Sequence, residues 1–231
     1  MTIQPILALV LLCAMAPTSQ AALTLIEFGE NNLAMPIPDY QSSGIQRTVT
    51  LSGLESQAPY LVTVSLKISA TGYGAYNGDF YAYLRHVSAD GMQSQYAVLL
   101  NRVGRTADNP SGYDGNGLEV TLADDATTDI HLYATSGGLV GSYLTGTYQP
   151  DGRTSDPNTV LGSDSRTAML NNLGTMDPNG SWTLFVADME RGGAAILAKW
   201  GITLTPVPEP NTISLLYMGL GALALYRRRR R

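Results

Sequence analysis

Ser181-Trp182-Thr183-Leu184-Phe185-Val186-Ala187 and Trp200-Gly201-Ile202-Thr203-Leu204-Thr205 decide the fold. In the first stretch Trp182, Leu184 and Val186 share one face, and Thr183, Phe185 and Ala187 take the other. In the second, Trp200, Ile202 and Leu204 alternate with Gly201, Thr203 and Thr205. Successive side chains of a strand point to opposite sides of its sheet, so this period of two predicts two strands, each with one indole-bearing apolar face.

The same alternation spreads toward the N-terminus. It is present in Arg47-Thr48-Val49-Thr50-Leu51, Leu61-Val62-Thr63-Val64-Ser65-Leu66 and Phe80-Tyr81-Ala82-Tyr83-Leu84. Tyr96-Ala97-Val98-Leu99-Leu100 is more continuously apolar, as a central strand is. Leu118-Glu119-Val120-Thr121-Leu122 and Asp129-Ile130-His131-Leu132-Tyr133 read as the next pair, and 165–173 as a short helical turn or a loop. Gly, Asn, Asp and Pro clusters such as Asp108-Asn109-Pro110-Ser111-Gly112 and Asp177-Pro178-Asn179-Gly180 break the chain between these runs. Short strands with such punctuation predict an all-β, jelly-roll-like β-sandwich. No internal repeat of 20–50 residues is visible.

The 231 residues suffice for a body whose apolar core carries the fold. Only 14% of them are charged, whereas Gly (24) and Tyr (13) are abundant, the balance of an exported β protein. The single cysteine, Cys13, falls in the N-terminal apolar run, so a disulfide framework and a cysteine metal site are excluded for the body. Residues 22–205 hold nine Lys and Arg against eighteen Asp and Glu, a net charge of −9. Nucleic-acid binding, which needs clustered cations against phosphates, is set aside.

Both ends read as addresses flanking a body at 22–205. The apolar run 6–16 has the length of a signal-peptide core, and Ser19-Gln20-Ala21 places small residues for signal-peptidase cleavage between Ala21 and Ala22. At the other end, 206–231 holds Val207-Pro208-Glu209-Pro210, an apolar run over 212–226, and Arg227-Arg228-Arg229-Arg230-Arg231. Fifteen helical residues span roughly 22 Å, a short transmembrane helix. The arginine block fixes its end in the cytoplasm and leaves the body outside.

This three-part tail resembles the PEP-CTERM sorting signal of Gram-negative bacteria. The resemblance implies recognition by an exosortase, cleavage near Pro208-Glu209-Pro210, and an association with exopolysaccharide and biofilm matrix.

The body is similar to the P domain (P/Homo B) found beside subtilisin-family catalytic domains, over 37–205. The segments that carry the likeness occur in the family's order. They are Ile37-Pro38-Asp39, Asn77-Gly78-Asp79-Phe80, Tyr83-Leu84-Arg85-His86 with Asp90-Gly91, Leu99-Leu100-Asn101-Arg102-Val103-Gly104, Leu122-Ala123-Asp124-Asp125-Ala126 and Gly146-Thr147-Tyr148-Gln149-Pro150. The closing set is Asp177-Pro178-Asn179-Gly180-Ser181-Trp182-Thr183-Leu184, Asp188, Gly192-Gly193 and Trp200. The chain departs at Gly192-Gly193, where the family has Gly-Asp, and in a longer insertion at 151–164. The resemblance implies a sandwich without an active site of its own, or an accessory module stabilising a subtilisin-type protease.

For chemistry, a Ser-His-Asp hydrolase needs a histidine base. Only His86 and His131 exist, both on predicted strands and expected at the surface, and no Gly-x-Ser-x-Gly elbow is present. A non-catalytic module is therefore expected. Asp79, Asp124, Asp125, Asp177 and Asp188 fall at turns or strand ends, where carboxylates and carbonyls suit Ca²⁺. Asp114-Gly115-Asn116-Gly117 lacks the downstream Glu of an EF-hand and reads as a turn. Phe80, Tyr81, Tyr83, Tyr96, Tyr143 and Tyr148 are candidates for an aromatic binding face.

Overall fold

In the computed structural model, residues 25–55, 59–72, 74–135 and 141–207 are described. Alternation builds the strands. Along β4 (Tyr60–Ala70), Tyr60, Val62, Val64, Leu66 and Ile68 are buried while the residues between them face outward. The same holds for Phe80, Ala82 and Leu84 of β5 (Phe80–Ser88). Trp182, Leu184 and Val186 of β9 (Gly180–Asp188) and Trp200, Ile202 and Leu204 of β10 (Ala195–Pro206) are buried as well.

The other strands are β1 (Ile26–Glu30), β2 (Met35–Ile37), β3 (Gln41–Leu51), β6 (Ser94–Asn101), β7 (Leu118–Ala123) and β8 (Leu144–Tyr148). They form two sheets, one ordered β1-β10-β4-β7-β8 with β2 also on β10, the other β3-β9-β5-β6. All pairings are antiparallel except β7 with β8. The apolar faces of both sheets join one core around the two tryptophans. The fold is the all-β sandwich that the alternation predicts.

Two differences have physical causes, and the open reading at 165–173 is resolved. Residues 129–133 do not make a strand: the Asp129 carboxylate accepts from the His131 backbone N–H and caps a 3₁₀ turn over Ile130–Leu132. Of 165–173, only the last residues join a one-turn helix, α1 (Asn171–Gly174). Its close seating needs Gly174, where a Cβ would lie 1.9 Å from the Tyr60 carbonyl oxygen. Finally, β1, β2 and β8 are short edge elements whose composition does not announce them; β8 carries Gly146 at φ +126°.

Candidate functional site

The sandwich hands its chain directly to the tail. Strand β10 stays in register with β4 as far as Pro206 opposite Tyr60, and the Val207 N–H donates to the Pro59 carbonyl at 2.9 Å. Val207 is thus held by the body. Pro208, Glu209, Pro210 and Arg227 to Arg231 lie outside the described residues, as do Ala21 and Ala22.

Of the five aspartates considered for calcium, the fold brings two together. Asp79 closes the 3₁₀ turn Asn77–Asp79, Asp188 ends β9, and the register sets Asp188 opposite Phe80, next to Asp79. They are 3% and 4% exposed. Asp188 accepts from the Glu190 N–H at 3.2 Å, whereas the Asp79 carboxylate accepts no hydrogen bond among the described residues. Arg102 stands nearby but spends its guanidinium on the Gly78 and Pro110 carbonyls and on Glu190. Burial, and then the charge of Asp188, pushes the Asp79 carboxyl up to about 7; burial pushes Asp188 to about 6, with Asp39 adding to it.

The other three aspartates are engaged elsewhere. Asp124 accepts from the Leu170 and Asn171 N–H groups at the start of α1. Asp177 accepts from Asn179 in the turn before β9, and Asp125 is exposed. Among the described residues no three His, Cys, Asp or Glu side chains are grouped to hold a metal, and of the five aspartates only Asp79 and Asp188 come together. Asn116 of the 114–117 turn accepts from the Ala75 N–H, tying that turn to the chain before β5.

The histidines overturn their expected surface placement, since both are fully buried. His86 shares the inward parity of Ala82 and Leu84; its Nε2 lies 2.7 Å from the Asp177 carbonyl and its Nδ1 3.2 Å from that of Ser181. Its ring stacks on Trp182 with centroids 4.0 Å apart. His131 Nδ1 contacts Asp151 Oδ2 at 2.7 Å, both side chains being inaccessible. Asp151 also pairs with Arg153, which reaches Asp129 at 2.7 Å and the Gly162 carbonyl. Sequence reasoning missed this network, which ties the 151–164 segment to the turn at 129–131; its one sequence signal is the density of Asp and Arg in that segment. Neither imidazole meets solvent, so neither is placed to relay a proton to a bound substrate.

The six aromatics do not share a face. Phe80 is core. Tyr81, Tyr83 and Tyr96 gather with Phe185 outside the β3-β9-β5-β6 sheet, but against one another: Tyr83 stacks on Phe185 at 4.8 Å, with Tyr81 and Tyr96 tilted or edge-on to Tyr83. Burial pushes the Tyr81 hydroxyl up to about 12. Tyr143 and Tyr148 belong to the other sheet, where Tyr148 meets Tyr133.

Residues 206–231 match the PEP-CTERM protein-sorting motif. The motif marks an exported protein that an exosortase sorts to the surface of a Gram-negative cell after passage through the membrane. Among solved structures, the crystal structure of the Aeromonas sobria serine protease (ASP) and chaperone (ORF2) complex is similar over 80% of this chain. The identity is 14% and the TM-score 0.37, and the chain spans 28% of the length of that one. No curated protein matches the chain.

Proposed function

We propose that the body is a non-catalytic surface or extracellular-matrix module of the P-domain type. A signal peptide ending at Ala21 would export it, and an exosortase would release it near Pro208-Glu209-Pro210 into exopolysaccharide. One observation carries the reading: the sorting motif begins on the last strand of the sandwich, with Val207 still bonded to Pro59, so the body is the cargo of the tail. The lack of catalysis is supported by the two histidines, each enclosed and fully engaged. The P-domain likeness is supported by its closing segment, which forms the turn into β9 and buries Trp182 against His86. We also propose Asp79 and Asp188 as the pair on which a calcium ion would be held, because the buried Asp79 carboxylate accepts no hydrogen bond among the described residues.

The deciding experiment is mass spectrometry of surface-extracted protein from strains with and without the exosortase. The expected result is a body that begins at Ala22 and ends near Pro208 only where the enzyme is present. A surface form that keeps Arg227 to Arg231 in the exosortase-positive strain overturns the sorting reading. Recovery of the body with a subtilisin-type protease rather than with exopolysaccharide would assign it instead as a protease accessory.

A further inference from the structure

We infer that, before its tail is cut, the protein lies with one defined end of the sandwich on the outer face of the bilayer, inserting Leu25, Leu61 and Met92. This rests on the reading of 206–231 as a membrane-inserted sorting tail.

Strand directions define that end. Strand β10 leaves it at Pro206, β4 starts there at Tyr60, and β1 starts there with Ile26 opposite Leu204. In the second sheet, β9 begins there at Gly180, opposite Ser88 and Leu51, so the turn 89–93 and the end of β3 belong to it too. The two sheets meet at this end, because β3 of the second sheet ends here at Leu51 and the chain re-enters the first sheet at Tyr60 of β4. Within the second sheet's end Asn179 bonds the Leu54 backbone in both directions and the Ala89 N–H donates to the Asn179 carbonyl.

Apart from Tyr96, which stands on the outer face of β6 against Tyr83, the exposed large side chains divide by end. Leu25 (50% exposed), Leu61 (46%) and Met92 (84%) all stand at the end where the tail leaves. Leu25 precedes Ile26 and so flanks Thr205, whose other neighbour is Leu61: two leucines bracket the exit strand. Tyr40, Tyr76 and Tyr143, which are also exposed, precede β3, β5 and β8 at the opposite end. An aliphatic side chain left in water costs free energy that burial in hydrocarbon recovers, and here hydrocarbon is close by.

How close is set by the chain. Four residues, 208–211, separate Val207 from the apolar run. Five steps of at most ~3.6 Å give a reach of about 18 Å, and the headgroup layer takes roughly 5–8 Å of it. Val207 is anchored to the body, so this end cannot stand more than about 10–13 Å clear of the lipid, two to three strand spacings. Segments 52–59, 88–94, 123–128 and 171–180 contain no Lys or Arg but hold Glu55, Asp90, Asp124, Asp125 and Asp177. The contact is therefore aliphatic and suits a zwitterionic surface; anionic lipid would repel it. Three side chains hold weakly without a tether, so cutting the tail frees the body.

The body's lack of cysteine makes the test direct. In the full chain with Cys13→Ser, single cysteines at Met92→Cys or Tyr76→Cys carry an environment-sensitive dye. The proteins are reconstituted into phosphatidylcholine nanodiscs containing doxyl-labelled lipid. Expected is quenching at position 92 severalfold above that at 76, and a severalfold fall at 92 when Leu25→Ser and Leu61→Ser are added. Equal quenching at both positions, none at 92, or no effect of the two leucine changes overturns the docking. Co-flotation with vesicles is read separately. Failure to float removes the anchored form, and the docking with it, whereas flotation without preferential quenching removes the docking alone.

Discussion

Replacing Asp79 by Asn should stabilise the protein at alkaline pH and do little in acid. In the folded protein the Asp79 carboxyl keeps its proton up to about pH 7, against an ordinary value of 3.8. Between those limits the folded state holds a proton that the unfolded chain has released, so stability falls as pH rises and the loss is complete above about 7. Three units at ~1.36 kcal/mol each amount to about 4 kcal/mol of penalty for the ionised form at pH 8. Asn keeps the shape and removes the charge, with the loss of some attraction to Arg102, so the gain at pH 8 is about 2–4 kcal/mol. For a body of this size that is roughly 5–15 °C in Tm. Thermal melts by circular dichroism in EDTA at pH 4.5, 6 and 8 read it. The difference between variant and parent should be only about 1 kcal/mol at pH 4.5, where the unfolded carboxyl has begun to ionise, and grow through pH 7. An Asp79→Asn variant less stable than the parent at pH 8 would refute the argument, because the carboxylate would then have a stabilising partner.

Calcium would be such a partner: excess Ca²⁺ at pH 8 should stabilise the parent, by about 2.7 kcal/mol at a hundredfold excess over Kd, and leave Asp79→Asn unmoved, so that the variant's advantage shrinks or vanishes. Identical parent melts with calcium and with EDTA, at equal ionic strength, remove the ion from the account. Trp182→Ala deletes a buried indole that stacks on His86 and donates to the Pro178 carbonyl, and should cost about 3–5 kcal/mol in urea unfolding. A parent-like midpoint would show that the indole is not core. Asp151→Ala strands Arg153 and His131 without their shared carboxylate, and should cost about 3–5 kcal/mol by the same measurement. A loss below about 1 kcal/mol would mean that solvent reaches the site.

What can be read in the sequence is whatever repeats along the chain. The period of two places β3, β4, β5, β7, β9 and β10, because a half-buried strand must alternate, and continuous apolarity places β6. The inward turn of His86 is legible in the same parity, shared with Phe80, Ala82 and Leu84, but the polarity of the ring points to the surface. Asp129 misleads differently: its side chain competes for a backbone N–H and converts an apolar run into a 3₁₀ turn. The pairing of Asp79 with Asp188 depends on a register between strands that are far apart in the chain, and no local pattern encodes it. The aromatic cluster fails as a common face for the same reason, since Tyr83 and Phe185 meet only through the pairing of β5 with β9.

The buried charges have a structural logic that follows from the missing disulfides. A two-sheet sandwich is open along two sides, where β1 and β3 lie on one and β8 and β6 on the other. On the first side Glu30 of β1 takes hydrogen bonds from Arg47 of β3 and from the Trp200 indole, joining both sheets through one carboxylate. On the second, the chain from 151 to 168 folds over β6: Asp151 and Gly152 donate to the Leu99 and Val98 carbonyls, and the Ala168 carbonyl accepts from Val98. That cover is pinned from within by His131, Asp151, Arg153 and Asp129. Partly exposed pairs such as Glu30 with Arg47 contribute little by charge alone, but a buried pair makes separation costly because each partner left behind is an unsolvated ion. The two closures therefore differ in kind. Loss of Arg47 should loosen one edge locally, whereas loss of Asp151 should release the whole cover and expose the β6 edge. For an exported body with no cysteine, the 151–164 segment thus does by buried ion pairing what a covalent link would otherwise do.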